Sequence, residues 1–342
     1  MIKFGLIGVG YWGPNLARNL NQVEDGSLAW VCDRSEKALA GICKNYSQIC
    51  TTGSYEEMLK GSNVDAVVVA TPAGTHYEIA KACLDAGRHT LVEKPLALTG
   101  AECDDLIERA AKKNLTLMVG HTFLYSPPVM KLKQYIDGGE LGDIYYAYST
   151  RANLGQVRKD VNAMWNLAPH DISILLYLFG QTPISVNAKG ISYIQDGIED
   201  VVFMYLDFPN KISAHIHLSW LDPGKIRKMT LVGSQKMIVY DDVSTDAKIQ
   251  VFDKGVDKVT KQDAEKFGSF GEFQLLMRAG DVYIPKVPAT EPLKIECQHF
   301  ADCIKNGTKP RTDGEHGKQV VQVLEAAQKS LKAGGGPVEV GK

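Results

Sequence analysis

The hydrophobic and polar positions of the first 120 residues alternate between two periodicities. Short apolar runs, typical of buried parallel strands, occupy residues 2–7, 28–32, 64–70, 89–92 and 115–119. Between these runs, helical spacing appears near residues 14–21, 35–44, 54–60, 75–86 and 99–113. Strands that alternate with helices predict a doubly wound parallel sheet. We therefore expect an α/β domain over residues 1–121.

The pattern changes after residue 121. The segment "SPPVMKLKQYIDGGELG" predicts a helix that ends at glycines, and residues 142–252 predict long strands interrupted by a helix over 171–179. In "KISAHIHLSW", for example, apolar and polar residues alternate strictly. Residues 253–290 predict an extended loop or arm, and helices follow at about 291–306 and 314–333. Residues 122–342 are thus expected to form an α+β domain with a large, mostly antiparallel open sheet.

Composition and charge exclude several classes of protein. The chain has 342 residues, is 44% hydrophobic and carries a net charge of −2, which gives no electrostatic reason to expect a nucleic-acid partner. No apolar run reaches the length of a membrane span, and the N-terminal "MIKFGLIGVG" predicts a strand rather than a signal peptide. The seven cysteines are scattered without a Cys-x-x-Cys pair, which indicates reduced thiols. We expect a cytoplasmic protein with no membrane contact.

A glycine fingerprint opens the first domain. "GLIGVGYWGPNLARNL" places Gly8, Gly10 and Gly13 directly after a strand and at the start of a helix. In a Rossmann sheet the first glycine permits a tight turn, the second lets a pyrophosphate approach the backbone, and the third lets the helix pack closely. The helix N-terminus offers N–H groups to the phosphates. The loop, including Tyr11 and Trp12, is therefore predicted to bind a dinucleotide.

The residue that selects the dinucleotide is predicted at the end of the second strand. Asp33 in "AWVCDRS" follows Gly13 by twenty residues, where a carboxylate would bind the ribose hydroxyls of NAD and repel the 2′-phosphate of NADP. Arg34 complicates this prediction, because an arginine can accept that phosphate or stack on adenine. The alternative role of Asp33 is a helix cap. We predict NAD as the cofactor.

The segment "VVVATPAGTHYEIAKACLDAGRHTLVEKPLALT" resembles the Gfo/Idh/MocA oxidoreductases. Together with the glycine fingerprint and a later histidine before a helix, the resemblance extends from residue 1 to about 335. It implies that Thr71, Pro72 and His76 line the nicotinamide side of the cofactor. It also implies that Glu93 and Lys94 lie by the nicotinamide ribose, with the Lys94 ammonium group reaching the substrate hydroxyl, and that the peptide before Pro95 is cis. From local sequence alone, Lys94 would be a solvated lysine on a loop.

A histidine is predicted as the general base. In "MWNLAPHDISILLYLFG", His170 matches the histidine of the family's Asp-x-x-x-His pair. At a helix N-terminus the dipole would keep it near neutral and able to accept the hydroxyl proton; the alternative is a structural histidine in a helix cap. Asn166 stands where the family has aspartate, and an amide cannot stabilise an imidazolium by charge. Either Asp171 supplies that charge, or Lys94 carries more of the proton transfer, or the chemistry is tuned toward reduction.

Other polar residues predict the substrate class. "VGHTFLYSP" ends a strand at the ligand-binding edge of the first sheet, with His121 predicted at the cofactor and Tyr125 at the substrate. Arg151 and Arg158 precede His170 and suit a diphosphate, although any one arginine is more often a surface charge. Trp165 could stack on a sugar or uracil ring, or lie in the core. With Lys94, Asn166 and His170, these residues are the predicted substrate contacts.

The strings "GHTFLYSP", "RANLG", "VNAMWNLAPHDISILLYL" and "GIEDV" resemble the subgroup found with surface-polysaccharide and lipid A precursors. That resemblance implies NAD-dependent oxidation of the C3 hydroxyl of a UDP-sugar, foremost UDP-N-acetylglucosamine, to a ketone that a pathway aminotransferase can use. The alternatives are a free-sugar or inositol dehydrogenase, an NADPH-dependent deoxysugar ketoreductase and, outside enzymes, a dinucleotide-binding sensor.

The "HIH" of residues 215–217 invites a metal assignment. No carboxylate is placed beside these histidines, and polar residues on an open sheet face are the commoner case, so we predict no metal. The family resemblance implies that this face pairs with another subunit. A homodimer or homotetramer is expected.

Overall fold

The computed structural model describes residues 1–61, 63–155, 157–256, 277–278 and 280–341. They form two compact units. The first comprises Met1–Ser126, Thr290–Glu325 and Gly341, and the second comprises Pro127–Ala289 and Ala326–Val340.

The sheet of the first unit has six strands, all parallel, in the order β3-β2-β1-β4-β5-β6. The strands are β1 Ile2–Ile7, β2 Gly26–Cys32, β3 Cys50–Thr52, β4 Ala66–Val69, β5 His89–Glu93 and β6 Leu117–Gly120. This order confirms the predicted doubly wound sheet. The strand β3 was not predicted, because its three residues "CTT" form no apolar run.

Five helices connect these strands. They are α1 Gly13–Leu20, α2 Glu36–Asn45, α3 Tyr55–Gly61, α4 His76–Asp85 and α5 Gly100–Lys112. The apolar sides of α3, α4 and α5 pack with β4, β5 and β6 into a continuous core of buried, mostly aliphatic side chains. A capping box formed by Thr99 and Glu102 begins α5, as the sequence "TGAE" indicates. The packed elements bring the carboxyl ends of the parallel strands to one edge of the sheet.

The second unit is built on nine strands in the order β16-β13-β12-β11-β7-β10-β9-β8-β17, with all described pairs antiparallel except β7 with β10. Its helices are α6 Pro127–Asp137 and α7 Ala163–Phe179. The strands from here to the end of the chain are β7 Ile144–Ala152, β8 Ser185–Ile191, β9 Val201–Asp207, β10 Ser213–Ser219, β11 Ile226–Gly233, β12 Met237–Asp241, β13 Ile249–Phe252, β14 Gly255–Val256, β15 Met277–Arg278, β16 Val282–Tyr283 and β17 Val338–Glu339. The α+β prediction is confirmed.

The arm predicted over residues 253–290 falls partly on 257–276 and 279, which lie outside the described residues. The described part contains three strands of two residues each, of which β14 and β15 pair with each other. Across the described chain, no helix has both the length and the apolar content that a membrane crossing needs.

The sequence-based boundary at residue 122 assigns the two C-terminal helices to the second domain. The structure assigns them differently. These are α8 Pro292–Asn306 and α9 Gly314–Lys332. The whole of α8 and the first part of α9 belong to the first unit. Phe300 of α8 is fully buried with its ring 6.2 Å from that of Phe4, and Val321 of α9 joins the core of the first unit. Their apolar faces were predictable, but helical periodicity does not reveal which sheet a helix covers.

Candidate functional site

The glycine loop of the first unit has room for a ligand at one glycine only. Gly8 has a φ of +95°, and a Cβ atom there would lie 2.6 Å from the carbonyl oxygen of Ala70. A Cβ at Gly13 would lie 2.6 Å from the carbonyl oxygen of Gly8, whereas one at Gly10 would meet no atom within 4 Å. Gly8 and Gly13 thus shape the loop, and Gly10 leaves its backbone open to an approaching group.

The helix that follows presents an uncapped N-terminus. Trp12 occupies the N-cap position of α1 and makes no side-chain capping hydrogen bond. The first N–H groups of a helix and its dipole attract anions. The open backbone at Gly10 and this helix end therefore fit the pyrophosphate of a dinucleotide. Tyr11, in the same loop, is 96% exposed.

Asp33 holds the glycine loop in place. Its Oδ2 accepts a hydrogen bond of 2.7 Å from the main-chain N–H of Val9, and its Oδ1 accepts one of 2.8 Å from Ser35. The helix α2 is capped by Ser35, whose Oγ accepts from the N–H of Ala38, so the alternative role of Asp33 as the N-cap of α2 is wrong. Asp33 is partly exposed and Arg34 exposed, and both remain candidates for the adenosine ribose.

His76 links two loops rather than facing a ligand. It is buried, with Nδ1 2.7 Å from the carbonyl oxygen of Pro95 and Nε2 2.8 Å from that of Thr71. Burial lowers the pKa of His76 below its ordinary value. Both ring nitrogens therefore lie against main-chain carbonyl oxygens. This leaves the partly exposed Thr71 and the exposed Pro72 as candidates for the predicted contact with nicotinamide.

Glu93 and Lys94 lie at the carboxyl end of β5, and the Lys94–Pro95 peptide is cis, as expected. Glu93 Oε2 accepts from the main-chain N–H of Lys94 at 3.3 Å, and the Trp12 side chain also hydrogen-bonds to this carboxyl. Burial raises the pKa of Glu93 to about 7, although the neighbouring Lys94 charge opposes the shift. The glycine loop and the "EKP" motif thus meet in one place within the first unit.

Gly120 and His121 at the end of β6 complete this edge. A Cβ at Gly120 would lie 3.1 Å from Glu93 Oε2, so a side chain there would crowd that carboxyl. His121 is buried, and neither of its ring nitrogens has a hydrogen-bond partner among the described residues. Burial lowers its pKa well below the ordinary value for histidine.

Two ionisable residues of this region escaped sequence analysis, Glu296 on α8 and His316 on α9. Glu296 is fully buried, and its Oε2 accepts a 2.8 Å hydrogen bond from Thr122. The His316 ring lies edge-on to that of His121, with centroids 5.2 Å apart, and burial lowers its pKa to about 4. A signal for Glu296 existed, because it shares the buried side of α8 with Leu293 and Phe300.

Tyr125 does not reach a substrate. It is fully buried, its hydroxyl lies 3.0 Å from Thr312 Oγ1, and the Arg311 guanidinium lies over its ring at 5.0 Å. A short 3₁₀ helix over Thr122–Tyr125 carries the side chain into the first unit. The predicted substrate contact at Tyr125 is therefore replaced by a structural role.

In the second unit, His170 lies inside a helix and not at its start. The helix α7 begins at Ala163, and Asn162 caps it by accepting a 3.0 Å hydrogen bond from the N–H of Trp165. Pro169 is accommodated within the helix, so the predicted start at residue 171 was wrong. The predicted influence of a helix N-terminal dipole on His170 is therefore wrong. The side chain is partly exposed.

The residues one turn before His170 are held by neighbouring side chains. Asn166 Oδ1 accepts a 3.2 Å hydrogen bond from the indole of Trp220, and the Trp165 indole donates to Gln328 Oε1 at 3.0 Å. Both Trp165 and Asn166 are partly exposed, which leaves them as candidate ligand contacts.

The two arginines predicted to bind a diphosphate differ in their burial. Arg151 is buried and forms an ion pair with Asp171, Nε to Oδ2 at 2.5 Å. Its guanidinium is therefore already paired with Asp171. The Asp171 charge, suggested as a partner for His170, is likewise already paired with Arg151. Arg158 pairs with Asp160 at 2.6 Å but stays 41% exposed at its side chain. Arg158 alone of the two remains a candidate for a diphosphate.

The histidines of "HIH" belong to an aromatic surface. His217 stacks on Phe203 with centroids 4.6 Å apart, and His215 lies 6.3 Å from the same ring. Within the described ranges, no three His, Cys, Asp or Glu side chains are grouped as a metal site would require.

Two family models match the chain. Residues 2–121 match the oxidoreductase family with an NAD-binding Rossmann fold, and residues 129–239 match the GFO/IDH/MocA C-terminal domain. Among curated relatives, a myo-inositol 2-dehydrogenase of Thermotoga maritima is 26% identical and covers 97% of this chain and 96% of its own length. A UDP-N-acetylglucosamine 3-dehydrogenase of Acidithiobacillus ferrooxidans is 28% identical over 67% of this chain and 71% of its own.

A solved structure of a UDP-N-acetylglucosamine 3-dehydrogenase of Acidithiobacillus ferrooxidans shares the fold, with a TM-score of 0.82, 24% identity and coverage of 97% of this chain and 98% of that one. The two family models together span most of both units. The chain therefore belongs to the Gfo/Idh/MocA family of oxidoreductases.

Proposed function

We propose that this protein is an NAD-dependent dehydrogenase that oxidises the C3 hydroxyl of a UDP-sugar, foremost UDP-N-acetylglucosamine. The observation that carries the dehydrogenase assignment is the open backbone at Gly10 beside the uncapped N-terminus of α1, with Asp33 bound to the same loop. Gly10, Trp12 and Gly13 would hold the pyrophosphate, and Asp33 would bind the adenosine ribose and favour NAD over NADP. Bound NAD supplies the acceptor for the hydride.

The proton chemistry falls to Lys94 and His170. Alcohol oxidation needs a group that removes the hydroxyl proton as the hydride leaves carbon. An imidazole, whose ordinary pKa lies near neutral, suits that role, so His170 is the proposed base, with Asn166 one turn earlier to orient the sugar or the ring. The Lys94 ammonium group is proposed to bind the same hydroxyl and share the proton transfer.

The substrate class rests on sequence similarity. The relative named as a UDP-N-acetylglucosamine 3-dehydrogenase and the strings around His170 favour a UDP-sugar. The exposed Arg158 suits its diphosphate. Oxidation at C3 would yield a ketone that an aminotransferase could then use.

A polyol is the second candidate. The relative named as a myo-inositol 2-dehydrogenase matches nearly the full chain, and Arg151, one of two predicted diphosphate ligands, is already paired with Asp171. A polyol carries no diphosphate and needs neither arginine.

We also propose that the enzyme is a homo-oligomer. Tyr146, Tyr148, Phe203 and Tyr205 are each more than 40% exposed on one face of the second-unit sheet. An aromatic face of that kind is typical of a subunit interface.

The test is an absorbance assay for reduced nicotinamide with NAD and a panel of UDP-sugars, free hexoses and inositols. Turnover of UDP-N-acetylglucosamine alone would support the proposal. Turnover of inositol or a hexose, with every UDP-sugar inert, would replace the substrate and leave the dehydrogenase assignment standing.

A further inference from the structure

A fully buried carboxyl group, that of Glu296, and a partly buried one, that of Glu93, lie at the carboxyl edge of the first-unit sheet. Glu93 ends β5, and its Cα partner on β6 is Gly120. Two residues after Gly120, Thr122 donates its hydroxyl to Glu296 of α8. The charge of Glu93 contributes to raising the pKa of Glu296, so the two groups interact.

The surroundings of Glu296 favour its protonated, neutral form. It is fully buried, its Oε2 receives a hydrogen bond from a neutral hydroxyl, and its Oε1 has no partner among the described residues. A buried carboxylate needs a cation or several donors, whereas a protonated carboxyl does not. Burial, and then the Glu93 charge, raise the pKa of Glu296 well above its ordinary value.

The surroundings of Glu93 act on its charge state in opposite directions. Its Oε2 receives the main-chain N–H of Lys94, the Trp12 side chain adds a further hydrogen bond, and the Lys94 charge favours the carboxylate. Its Oε1 is buried without a partner among the described residues, and burial favours the neutral acid. The resulting pKa of about 7 means that a modest change of nearby charge decides whether Glu93 is ionised.

A dinucleotide bound at this edge would bring such a change of charge close to Glu93. Trp12 belongs to the dinucleotide loop, and dinucleotides bind at the carboxyl ends of parallel strands. The nicotinamide ring is a cation in NAD+ and neutral in NADH. We propose that Glu93 is a proton site linked to the redox state of the cofactor: it loses its proton when NAD+ binds and keeps it when NADH binds, while Glu296 stays protonated. This inference rests on the proposed use of NAD.

Other ionisable groups lie on the elements that carry the two carboxyls or flank them. They are His121, Tyr125, Cys297, Arg18 and Lys94, whose charge favours the Glu93 carboxylate. Burial raises the pKa of Tyr125 and Cys297, and burial lowers that of His121, so all three stay neutral. Arg18 is ion-paired with Glu291. Glu93 is therefore the group in this set expected to titrate on cofactor binding.

Isothermal titration calorimetry of the full chain tests the linkage. Titrating NAD+ at pH 7 in phosphate and in Tris, which differ in ionisation enthalpy, should show release of about half a proton per NAD+ bound. The Kd for NAD+ should fall about tenfold between pH 6 and pH 8, and the Kd for NADH should not fall. Equal pH dependence for NAD+ and NADH would overturn the inference without any variant.

Matched variants identify which of the two carboxyl groups releases the proton. Glu93→Gln should abolish the release and the pH dependence of NAD+ affinity. Glu296→Gln should retain both, because an amide and a protonated carboxyl are both neutral. Retention in Glu93→Gln, or loss in Glu296→Gln, would contradict the assignment. If neither NAD+ nor NADH bound at any pH, the proposed cofactor itself would be refuted, and the linkage with it.

Discussion

Arg151 and Asp171 form a buried ion pair in the second unit, with Nε 2.5 Å from Oδ2 and both side chains 5% exposed. The pair joins β7 to α7, the helix that carries His170. It gives Arg151 a structural role in place of the predicted contact with a diphosphate.

Replacing one member of this pair should be costly. Arg151→Met leaves the Asp171 carboxylate buried without its partner, so we expect a loss of about 3–5 kcal/mol in unfolding free energy. Arg158→Ala is the matched control, because its pair with Asp160 is exposed and should contribute about 0–1 kcal/mol. Urea denaturation measures both. Equal small losses would show that the Arg151 pair is not structural.

The structural role of Gly8 and the ligand-binding role of Gly10 can be separated by the same substitution, glycine to alanine. Gly8→Ala should destabilise the protein by about 1–3 kcal/mol, because of the positive φ and the contact with the Ala70 carbonyl. Gly10→Ala should change stability by less than about 0.5 kcal/mol. It should nevertheless raise the Kd for NAD at least about tenfold, since the new methyl group occupies the open backbone. Thermal unfolding and calorimetry separate the effects, and unchanged NAD affinity in Gly10→Ala would refute the pyrophosphate assignment.

The buried His316 predicts acid sensitivity. Its pKa in the folded chain is about 4, and the unfolded chain binds the proton first as the pH falls. Its contribution to stability is therefore complete above the ordinary pKa and is lost as the pH falls from about 6.5 toward 4, by up to about 3 kcal/mol. His316→Met should flatten the pH dependence of unfolding free energy over that range. Parallel curves for the variant and the parent would contradict this prediction.

His170 should control turnover but not cofactor affinity. We expect His170→Asn to lower kcat by about 10²–10⁴ while NAD binds with unchanged Kd. Asn166→Asp adds an anion one turn away, which should raise the pKa of His170 and move the rising limb of the pH–rate profile to higher pH. Turnover within about threefold of the parent in His170→Asn would remove the histidine from the proton transfer.

The sequence predicted the parts of this protein that depend on local patterns. Five of the six parallel strands, the glycine loop and the strands of the second unit follow from periodicity and turn residues. What it missed depends on tertiary packing. Nothing local shows that Tyr125 is turned inward by a 3₁₀ helix, that Arg151 meets Asp171, or that α8 places Glu296 in the first unit.

The predicted start of α7 was wrong because capping and packing along the helix outweigh the local preference of proline. Proline is common in the first turn of a helix, and the helix predicted over 171–179 begins just after Pro169. The capping of α7 by Asn162 and eleven buried residues along the helix stabilise it on both sides of the proline. His170 consequently lies in the body of the helix, so its proposed role as base does not draw on a helix N-terminus.

Isotope transfer measures directly whether hydride passes from C3 of a UDP-sugar to NAD, as we propose. UDP-N-acetylglucosamine carrying deuterium at C3 would be incubated with the enzyme and NAD, and the recovered reduced cofactor analysed by mass spectrometry. We predict one deuterium in the cofactor and a ketone at C3 of the sugar. Reduced cofactor without deuterium, formed from this substrate, would place the oxidation at another carbon and contradict the account.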